Sequence, residues 1–144
     1  MSVSSKLNKL KLLAYDFDGV MTDNTVFIDQ KGNESVRVNR SDGLAISKIK
    51  ALDIEQIIIS TEKNKLVAVR SKKLGLNCFF GVNDKKQTLI EYCKQKKISI
   101  SSVGFVGNDI NDLDVMSSCG VSICPVDAYD AIKKISDYCL TTKG

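Results

Sequence analysis

Short apolar runs alternate with longer amphipathic stretches along the whole sequence. The pattern predicts strands at residues 10–15, 57–59, 78–80, 103–106, 121–124 and 138–140, and helices at 44–52, 62–74, 84–97, 111–118 and 128–135. Strands that alternate with helices are typical of a parallel sheet whose two faces are both covered by helices. We therefore predict an α/β fold: a Rossmann-like parallel sheet with helices on both faces.

One stretch departs from this alternation. Two β-rich segments, 26–28 and 36–38, flank a turn-forming sequence at 31–33, which predicts a small β-hairpin insertion over about residues 24–39. A core of this kind uses most of the 144 residues. We therefore predict a single domain, residues 1–144, with no cap domain.

Composition excludes several classes of protein. The chain has no histidine, so Ser-His-Asp and Cys-His catalysis and histidine-bearing metal sites are excluded. Its five cysteines form no C-x-x-C pair, and we expect them to be reduced and mostly buried. No apolar stretch is long enough to cross a membrane, and residues 1–11 do not have the pattern of a signal peptide. We therefore expect a cytoplasmic protein with no membrane partner.

The net charge of +4 comes mainly from lysines that are scattered along the chain. No basic run is both dense and interleaved with aromatic residues, so we predict no nucleic-acid partner. A positive balance suits an anionic small substrate equally well.

Polar, potentially reactive residues follow four of the predicted strands. In chain order they are Asp16 and Asp18, Ser60 and Thr61, Lys85, and then Asn108, Asp109 and Asp112. Ligands of open parallel sheets bind at the carboxyl ends of the strands. We therefore expect these residues to converge on one edge of the sheet.

The acidic segments allow two interpretations. Asp16, Asp18 and Asp23 are either solvated carboxylates of a turn or part of a site for a hard cation such as Mg²⁺, which prefers oxygen ligands. The G-N-D-x-N-D segment at 107–112 either caps a helix or completes that metal site.

The remaining polar residues also allow two interpretations. Ser60 and Thr61 either cap a helix or, together with the N–H groups of a helix start, bind an anion. Lys85 is either a solvated surface lysine or a second ligand of the same anion.

The order of these motifs is more informative than any one of them. The chain resembles the haloacid dehalogenase-like phosphohydrolases over most of its length. The resemblance is carried by four features in order: D-x-D-G-V-x-T-D at 16–23, a hydroxyl at 60, a lysine at 85 and G-N-D-x-N-D at 107–112. The extended first motif resembles a capless branch that acts on 3-deoxy-manno-octulosonate 8-phosphate or on N-acylneuraminate and deoxynononate 9-phosphates.

The resemblance implies a phosphatase mechanism. Asp16 is then the nucleophile that forms an aspartyl-phosphate, and Asp18 is the general acid–base. Mg²⁺ is held by the Asp16 carboxylate and the Asp18 backbone carbonyl. Ser60, Thr61 and Lys85 bind the phosphoryl oxygens.

One position departs from the family pattern. The family usually has Asp where this chain has Asn108, as the third metal ligand, so either Asn108 or the adjacent Asp109 is expected to complete the site. The same Asn resembles phosphatase-like domains linked to sialic-acid cytidylyltransferases, and a non-catalytic domain of that kind is the alternative function. The intact pair Asp16 and Asp18 favours a working enzyme. A receiver-type phosphoacceptor domain would need its acceptor Asp where this chain has Ser60.

Substrate choice depends on a second group of residues that the resemblance implies. They are Asn39, Arg40, Asp42, Gly43, Glu62, Arg70 and Lys73. The octulosonate enzymes usually have Arg at the position of Glu62, so the sequence favours a nononate or N-acylneuraminate 9-phosphate, with the octulosonate 8-phosphate as the alternative. On a helix over 62–74, Glu62, Arg70 and Lys73 would share one face that binds the sugar-acid carboxylate. Because the family is typically tetrameric, we also expect a homotetramer assembled through the hairpin.

Overall fold

The computed structural model describes residues 2–144. The main sheet contains β1 (Leu12–Tyr15), β4 (Glu55–Ile59), β5 (Asn77–Phe79), β6 (Val103–Val106), β7 (Val121–Cys124) and β8 (Tyr138–Cys139), and a hairpin contains β2 (Phe27–Ile28) and β3 (Glu34–Ser35). The α-helices are α1 (Val3–Leu7), α2 (Ser41–Lys50), α3 (Leu66–Leu74), α4 (Lys85–Lys96), α5 (Leu113–Ser118) and α6 (Asp130–Ile135).

The six strands of the main sheet are all parallel, in the order β5-β4-β1-β6-β7-β8. Tyr15, the last residue of β1, pairs with Ile58 of β4 on one side and with Val106 of β6 on the other. The strand order reverses between β1 and β6, which is where open α/β sheets bind their ligands. The predicted α/β fold is confirmed, and the segments after these three strands lie at one edge.

Both faces of the sheet are buried, and β4 shows this residue by residue. Ile57 and Ile59 belong to an apolar cluster that also includes Leu89 of α4, whereas Ile58 belongs to a second cluster with Val67 of α3. Successive side chains of a strand point to opposite faces. The continuous apolar run at 57–59 therefore reflects helices packed on both sides of the strand.

The predicted helix at 62–74 is too long at its start. The structure begins α3 at Leu66, because Asn64 Oδ1 accepts a hydrogen bond from the Leu66 N–H at 3.1 Å. The Glu62 carboxylate accepts from the Asn64 N–H at 2.8 Å, which stabilises a loop instead of a helical turn. The end of the helix is as predicted, since Gly75 adopts the left-handed conformation at φ +69°.

The hairpin is also shorter than predicted. Asp29 Oδ1 accepts hydrogen bonds from the N–H groups of Lys31 and Asn33, at 2.8 and 2.9 Å, and this turn pairs Ile28 with Glu34. The predicted strand at 36–38 is therefore displaced to Glu34–Ser35, and Val38 forms an isolated bridge with Thr22.

Three smaller observations complete the fold. The sequence analysis missed α1, a five-residue helix with no buried side chain. All five cysteines are free; Cys93 and Cys124 are buried, Cys78 and Cys119 are half-buried and Cys139 is exposed, so fewer are buried than expected. No helix in residues 2–144 has the length and apolarity needed to cross a bilayer.

Candidate active site

A buried lysine lies between two buried carboxylates at the carboxyl edge of the sheet. Asp16 follows β1, and Lys85 is the first residue of α4. The Lys85 ammonium lies 2.8 Å from Asp16 Oδ1 and 2.7 Å from Asp112 Oδ1. The exposed fractions of the three residues are only 5% for Asp16, 3% for Lys85 and 0% for Asp112. A buried charge is tolerated only with compensating partners, so this triad is a built electrostatic unit and Lys85 is not a surface lysine.

The electrostatics of Asp16 follow from this environment. Burial raises the pKa of Asp16, and the Asp112 carboxylate raises it further, while the Lys85 ammonium and the Phe17 N–H lower it. The two carboxylates in turn raise the pKa of Lys85 despite its burial. The net effect raises the pKa of Asp16 to about 7, and the charged Lys85 limits this rise.

Asp112 also organises the loop after β6. Its Oδ2 accepts hydrogen bonds from the N–H groups of Asn108 at 3.0 Å and Asp109 at 3.2 Å, while its Oδ1 contacts Lys85. The sequence pattern predicts Asp112 at this edge without indicating a role for it. Its position in G-N-D-x-N-D was a signal, but the contact with Lys85, 27 residues away, could be seen only in the structure.

Asn108 completes a cluster of oxygen atoms beside Asp16. With its amide nitrogen turned inward, Asn108 donates to the Asp18 carbonyl oxygen at 2.9 Å and to Asp16 Oδ2 at 3.0 Å. With its amide oxygen turned inward, the same three groups present only oxygens to one another. Carboxylate, amide and carbonyl oxygens are ligands of Mg²⁺, so this donor set fits the predicted metal.

Asn108 and Asp109 lie differently with respect to Asp16 and Asp18. Asp109 Oδ1 accepts from the Ile110 N–H at 2.6 Å and caps the 3₁₀ turn Ile110–Asp112. One oxygen of Asp109 is used in that cap, whereas Asn108 faces Asp16 and Asp18, and which of the two would bind a metal stays a prediction. Among residues 2–144, no cluster of three or more His, Cys, Asp or Glu side chains forms an alternative metal site.

Asp18 is half-buried and faces a pocket of about 260 Å³. Burial is the main cause that raises the pKa of Asp18, the negative charges of Glu62 and Glu34 raise it further, and Lys85 opposes them. A carboxyl group in this environment keeps its proton to higher pH than a solvated one, as a general acid requires.

Ser60 and Thr61 lie at the same edge, after β4. Ser60 is 1% exposed and its hydroxyl accepts from the Glu62 N–H at 3.1 Å, whereas Thr61 is exposed and accepts from Asn111 Nδ2 at 3.3 Å. The helix start predicted at these residues is wrong, because α3 begins only at Leu66, while anion binding by Ser60 and Thr61 stays a prediction. Any contribution to anion binding comes from the hydroxyls and loop N–H groups.

The predicted substrate residues divide between two places. Asn39, Arg40 and Asp42 line a separate pocket of about 490 Å³, at the start of α2, and Gly43 lies in the first turn of that helix. Glu62 instead lines the pocket beside Asp18.

The predicted common face of Glu62, Arg70 and Lys73 does not exist, because Glu62 precedes the helix. Arg70 is turned towards α2, where its Nη2 donates to the Asn39 carbonyl at 2.8 Å and lies 3.8 Å from Asp42 Oδ2. Lys73 is exposed on α3. Arg70 therefore links α3 to the start of α2 in this structure, and its predicted role in binding a carboxylate stays a prediction.

Comparison with known proteins gives concordant results. Residues 27–143 match the family model of the haloacid dehalogenase-like hydrolases. The 3-deoxy-D-manno-octulosonate 8-phosphate phosphatase of Haemophilus influenzae is 29% identical over 99% of this chain and 79% of its own length. The corresponding protein of Escherichia coli K12 is 31% identical over 99% of this chain and 76% of its own length.

Solved structures of two such proteins superpose closely. The enzyme of Yersinia pestis has a TM-score of 0.94 at 29% identity, over 99% of this chain and 77% of its own. The enzyme of Moraxella catarrhalis, in complex with magnesium ion, phosphate ion and a KDO molecule, has a TM-score of 0.92 at 28% identity, over 97% of this chain and 81% of its own.

Proposed function

The chain belongs to the haloacid dehalogenase-like hydrolases, and on that premise we propose that it is a magnesium-dependent phosphatase of phosphorylated sugar acids. The observation that carries this proposal is the buried Asp16–Lys85–Asp112 triad beside the oxygen cluster of Asp16, Asp18 and Asn108. Within the triad, Lys85 stabilises the charged Asp16 carboxylate against burial and the Asp112 charge, which together raise its pKa to about 7. An ionised Asp16 in this buried site can serve as a nucleophile.

In the proposed reaction, the Asp16 carboxylate attacks phosphorus and forms an aspartyl-phosphate while the sugar oxygen leaves. Asp16 is held for this step by Lys85 and by the Phe17 N–H, which donates to Asp16 Oδ1 at 2.7 Å. Asp18 donates its proton to the leaving oxygen and then accepts a proton from the water that hydrolyses the intermediate. Its raised pKa supports the first of these roles.

The residues that would hold Mg²⁺ are Asp16, the Asp18 carbonyl and Asn108, and the ion would neutralise charge on the phosphoryl group. Lys85, Ser60 and Thr61 would bind the phosphoryl oxygens, over which the negative charge of the transition state is spread. The Moraxella catarrhalis relative is in complex with magnesium and phosphate ions, which supports a metal ion and a phosphoryl group as ligands of this kind of protein.

We infer a phosphorylated 2-keto-3-deoxy sugar acid as the substrate class. The relatives from Haemophilus influenzae and Escherichia coli are named as 3-deoxy-D-manno-octulosonate 8-phosphate phosphatases, which supports the octulosonate 8-phosphate as the substrate. Glu62 supports the nononate or N-acylneuraminate 9-phosphate, because the octulosonate enzymes resembled by this sequence usually have Arg there.

The test is phosphate release from both sugar-acid phosphates, with and without Mg²⁺, with Asp16→Asn as the control. We expect turnover that requires metal and is lost in the control, and the ratio of kcat/KM values decides between the two substrates. A folded protein that releases phosphate from neither compound would refute the proposal and favour the non-catalytic alternative associated with a cytidylyltransferase.

We also propose a homotetramer and a cytoplasmic location. Phe27 and Ile28 of the hairpin are 67% and 64% exposed, and exposed apolar side chains on a projecting element support association with further copies. The free cysteines support a reducing compartment. Phe27→Ser should lower the mass measured by light scattering, whereas Leu52→Ser, which removes an equally exposed side chain at 70%, should leave it unchanged.

A further inference from the structure

Two cysteines lie opposite each other on the last two strands of the main sheet. Cys124 ends β7 and Cys139 ends β8, and the two residues are direct partners in the parallel register of these strands. Paired residues of neighbouring strands point to the same face of the sheet, and the strands lie about 4.7–4.9 Å apart. Disulfides require Cα atoms roughly 4.4–6.8 Å apart. The register therefore brings the two cysteines within bonding range.

The two thiols are free, in contact with each other, and differ in their access to solvent. Cys139 Sγ lies 4.0 Å from the carbonyl oxygen of Pro125, the residue that follows Cys124. Burial raises the pKa of Cys124, and the neighbouring Cys139 thiol raises it further. Cys124 is 0% exposed, whereas Cys139 is exposed. A solute therefore meets Cys139 first, with the Cys124 sulfur directly beside it.

The other three cysteines lack this combination of contact and access. Cys119 lies near Cys93, but burial raises the pKa of Cys119 to about 12 and Cys93 is buried as well. The thiolate is the form that reacts with oxidants, so this second pair is inert at neutral pH. Cys78 lies on β5, at the opposite edge of the sheet from β8.

We propose that Cys124 and Cys139 form a modification site, at which a peroxide oxidises the two thiols to a disulfide that joins β7 to β8. This inference goes beyond the proposed phosphatase function and does not depend on it. The bond would tie the edge strand β8, which has only two residues, to the next strand of the sheet.

With hydrogen peroxide, the reaction has two steps. The Cys139 thiolate attacks one oxygen, the O–O bond breaks, and the hydroxide that leaves takes up the proton that Cys139 released, which gives a sulfenic acid and one water. The Cys124 sulfur then attacks the Cys139 sulfur, the S–O bond breaks, and the hydroxyl leaves with the Cys124 proton as a second water. Overall, the thiols lose two electrons and two protons, and hydrogen peroxide is reduced to water.

The experiment treats the folded protein with hydrogen peroxide and then blocks the remaining thiols with N-ethylmaleimide in denaturant. Peptide mass mapping should find Cys124 and Cys139 in one cross-linked product that dithiothreitol separates, while the other three of the five cysteines are blocked. Before blocking, the mass of the intact chain should fall by about 2 Da, because a disulfide has two hydrogen atoms fewer than two thiols.

Cys139→Ser is the test variant, because the side chain it changes is exposed and lies outside the core. It should give no cross-linked product. Cys78→Ser is the matched control: it removes a half-buried thiol at the other edge of the sheet and should leave the yield of the cross-link unchanged. Thermal unfolding of each variant checks that it is folded.

Oxidation of the wild-type protein in denaturant is a second control. In the unfolded chain, Cys119 and Cys124 close the shortest loop, which costs the least entropy, so the preference for the bond between Cys124 and Cys139 should disappear.

Three results would overturn the inference while the proposed function stands. The first is five free thiols after treatment with peroxide. The second is Cys139 found as a sulfinic acid, or linked to a second copy of the chain, with Cys124 still free. The third is a bond between Cys124 and Cys139 that forms equally well in denaturant, because the fold would then play no part in the pairing.

Discussion

Gly19 is the position at which a single methyl group should do most damage to the proposed metal site. Gly19 lies in the loop after β1 with φ +81°, a left-handed conformation that disfavours every residue with a Cβ. A Cβ added there would lie 1.9 Å from Asn108 Nδ2 and 2.7 Å from Asn108 Cγ. Gly19→Ala therefore combines backbone strain with a clash against a proposed metal ligand.

The structure allows the two effects to be estimated separately. The backbone cost of a left-handed alanine is about 1–2 kcal/mol. Real Cβ contacts are not shorter than 3.0 Å, so Asn108 must retreat by at least 1.1 Å, the difference between 3.0 and 1.9 Å. A displacement of about 1 Å in a catalytic site lowers the rate by about 100-fold.

Gly75→Ala is the matched control. Gly75 has φ +69°, and a Cβ there would meet nothing within 4 Å, at the end of α3. Both variants should lose about 1–2 kcal/mol of unfolding free energy from the backbone, and Gly19→Ala should lose more because of the clash. Only Gly19→Ala should lower kcat/KM for phosphate release by about 100-fold and raise the Mg²⁺ concentration that gives half-maximal activity.

The assay is phosphate release as a function of Mg²⁺ concentration, with thermal unfolding of each variant in parallel. Activity of Gly19→Ala within about threefold of Gly75→Ala would refute the reasoning, because Asn108 would then have moved without effect. An equal loss of activity in Gly75→Ala would also refute it, since the effect would come from destabilisation alone.

Three further predictions follow from single contacts. Asn108→Asp should lower the Mg²⁺ concentration for half-maximal activity by about threefold or more, since it adds a negative charge to the oxygen cluster. An unchanged metal dependence would show that Asn108 is not a metal ligand. Arg70→Met should lower the unfolding free energy by about 1–3 kcal/mol in denaturant titrations, because the Asn39 carbonyl loses its donor, and Arg70→Lys should recover part of it. Glu62→Gln should move the alkaline limb of the pH profile of kcat to lower pH. The Glu62 charge raises the pKa of Asp18, and activity is lost when Asp18 gives up its proton. An unshifted limb would show that Asp18 is not the group that titrates there.

The alternation of apolar runs and amphipathic segments was sufficient to predict the fold, and with it the edge at which Asp16, Ser60 and Asn108 meet. Such patterns are local, because they record which residues of each element face the core. Strands β6 and β7 were predicted to the residue, since each is a short run with helical sequence on either side. The start of α3 was not predicted correctly. The hydrogen bonds of Glu62 and Asn64 that replace the first helical turn do not change the spacing of apolar residues in the sequence.

The sequence by itself determined the fold class, the acidic loop after β1 and the order of the polar residues along one sheet edge. Only the tertiary structure decided which of those residues touch. It placed Lys85 between Asp16 and Asp112, turned Arg70 towards Asn39, and put Asn108 instead of Asp109 against Asp18. These choices depend on how distant segments pack and on where each turn directs its side chains, and such contacts leave no periodic signal in the chain.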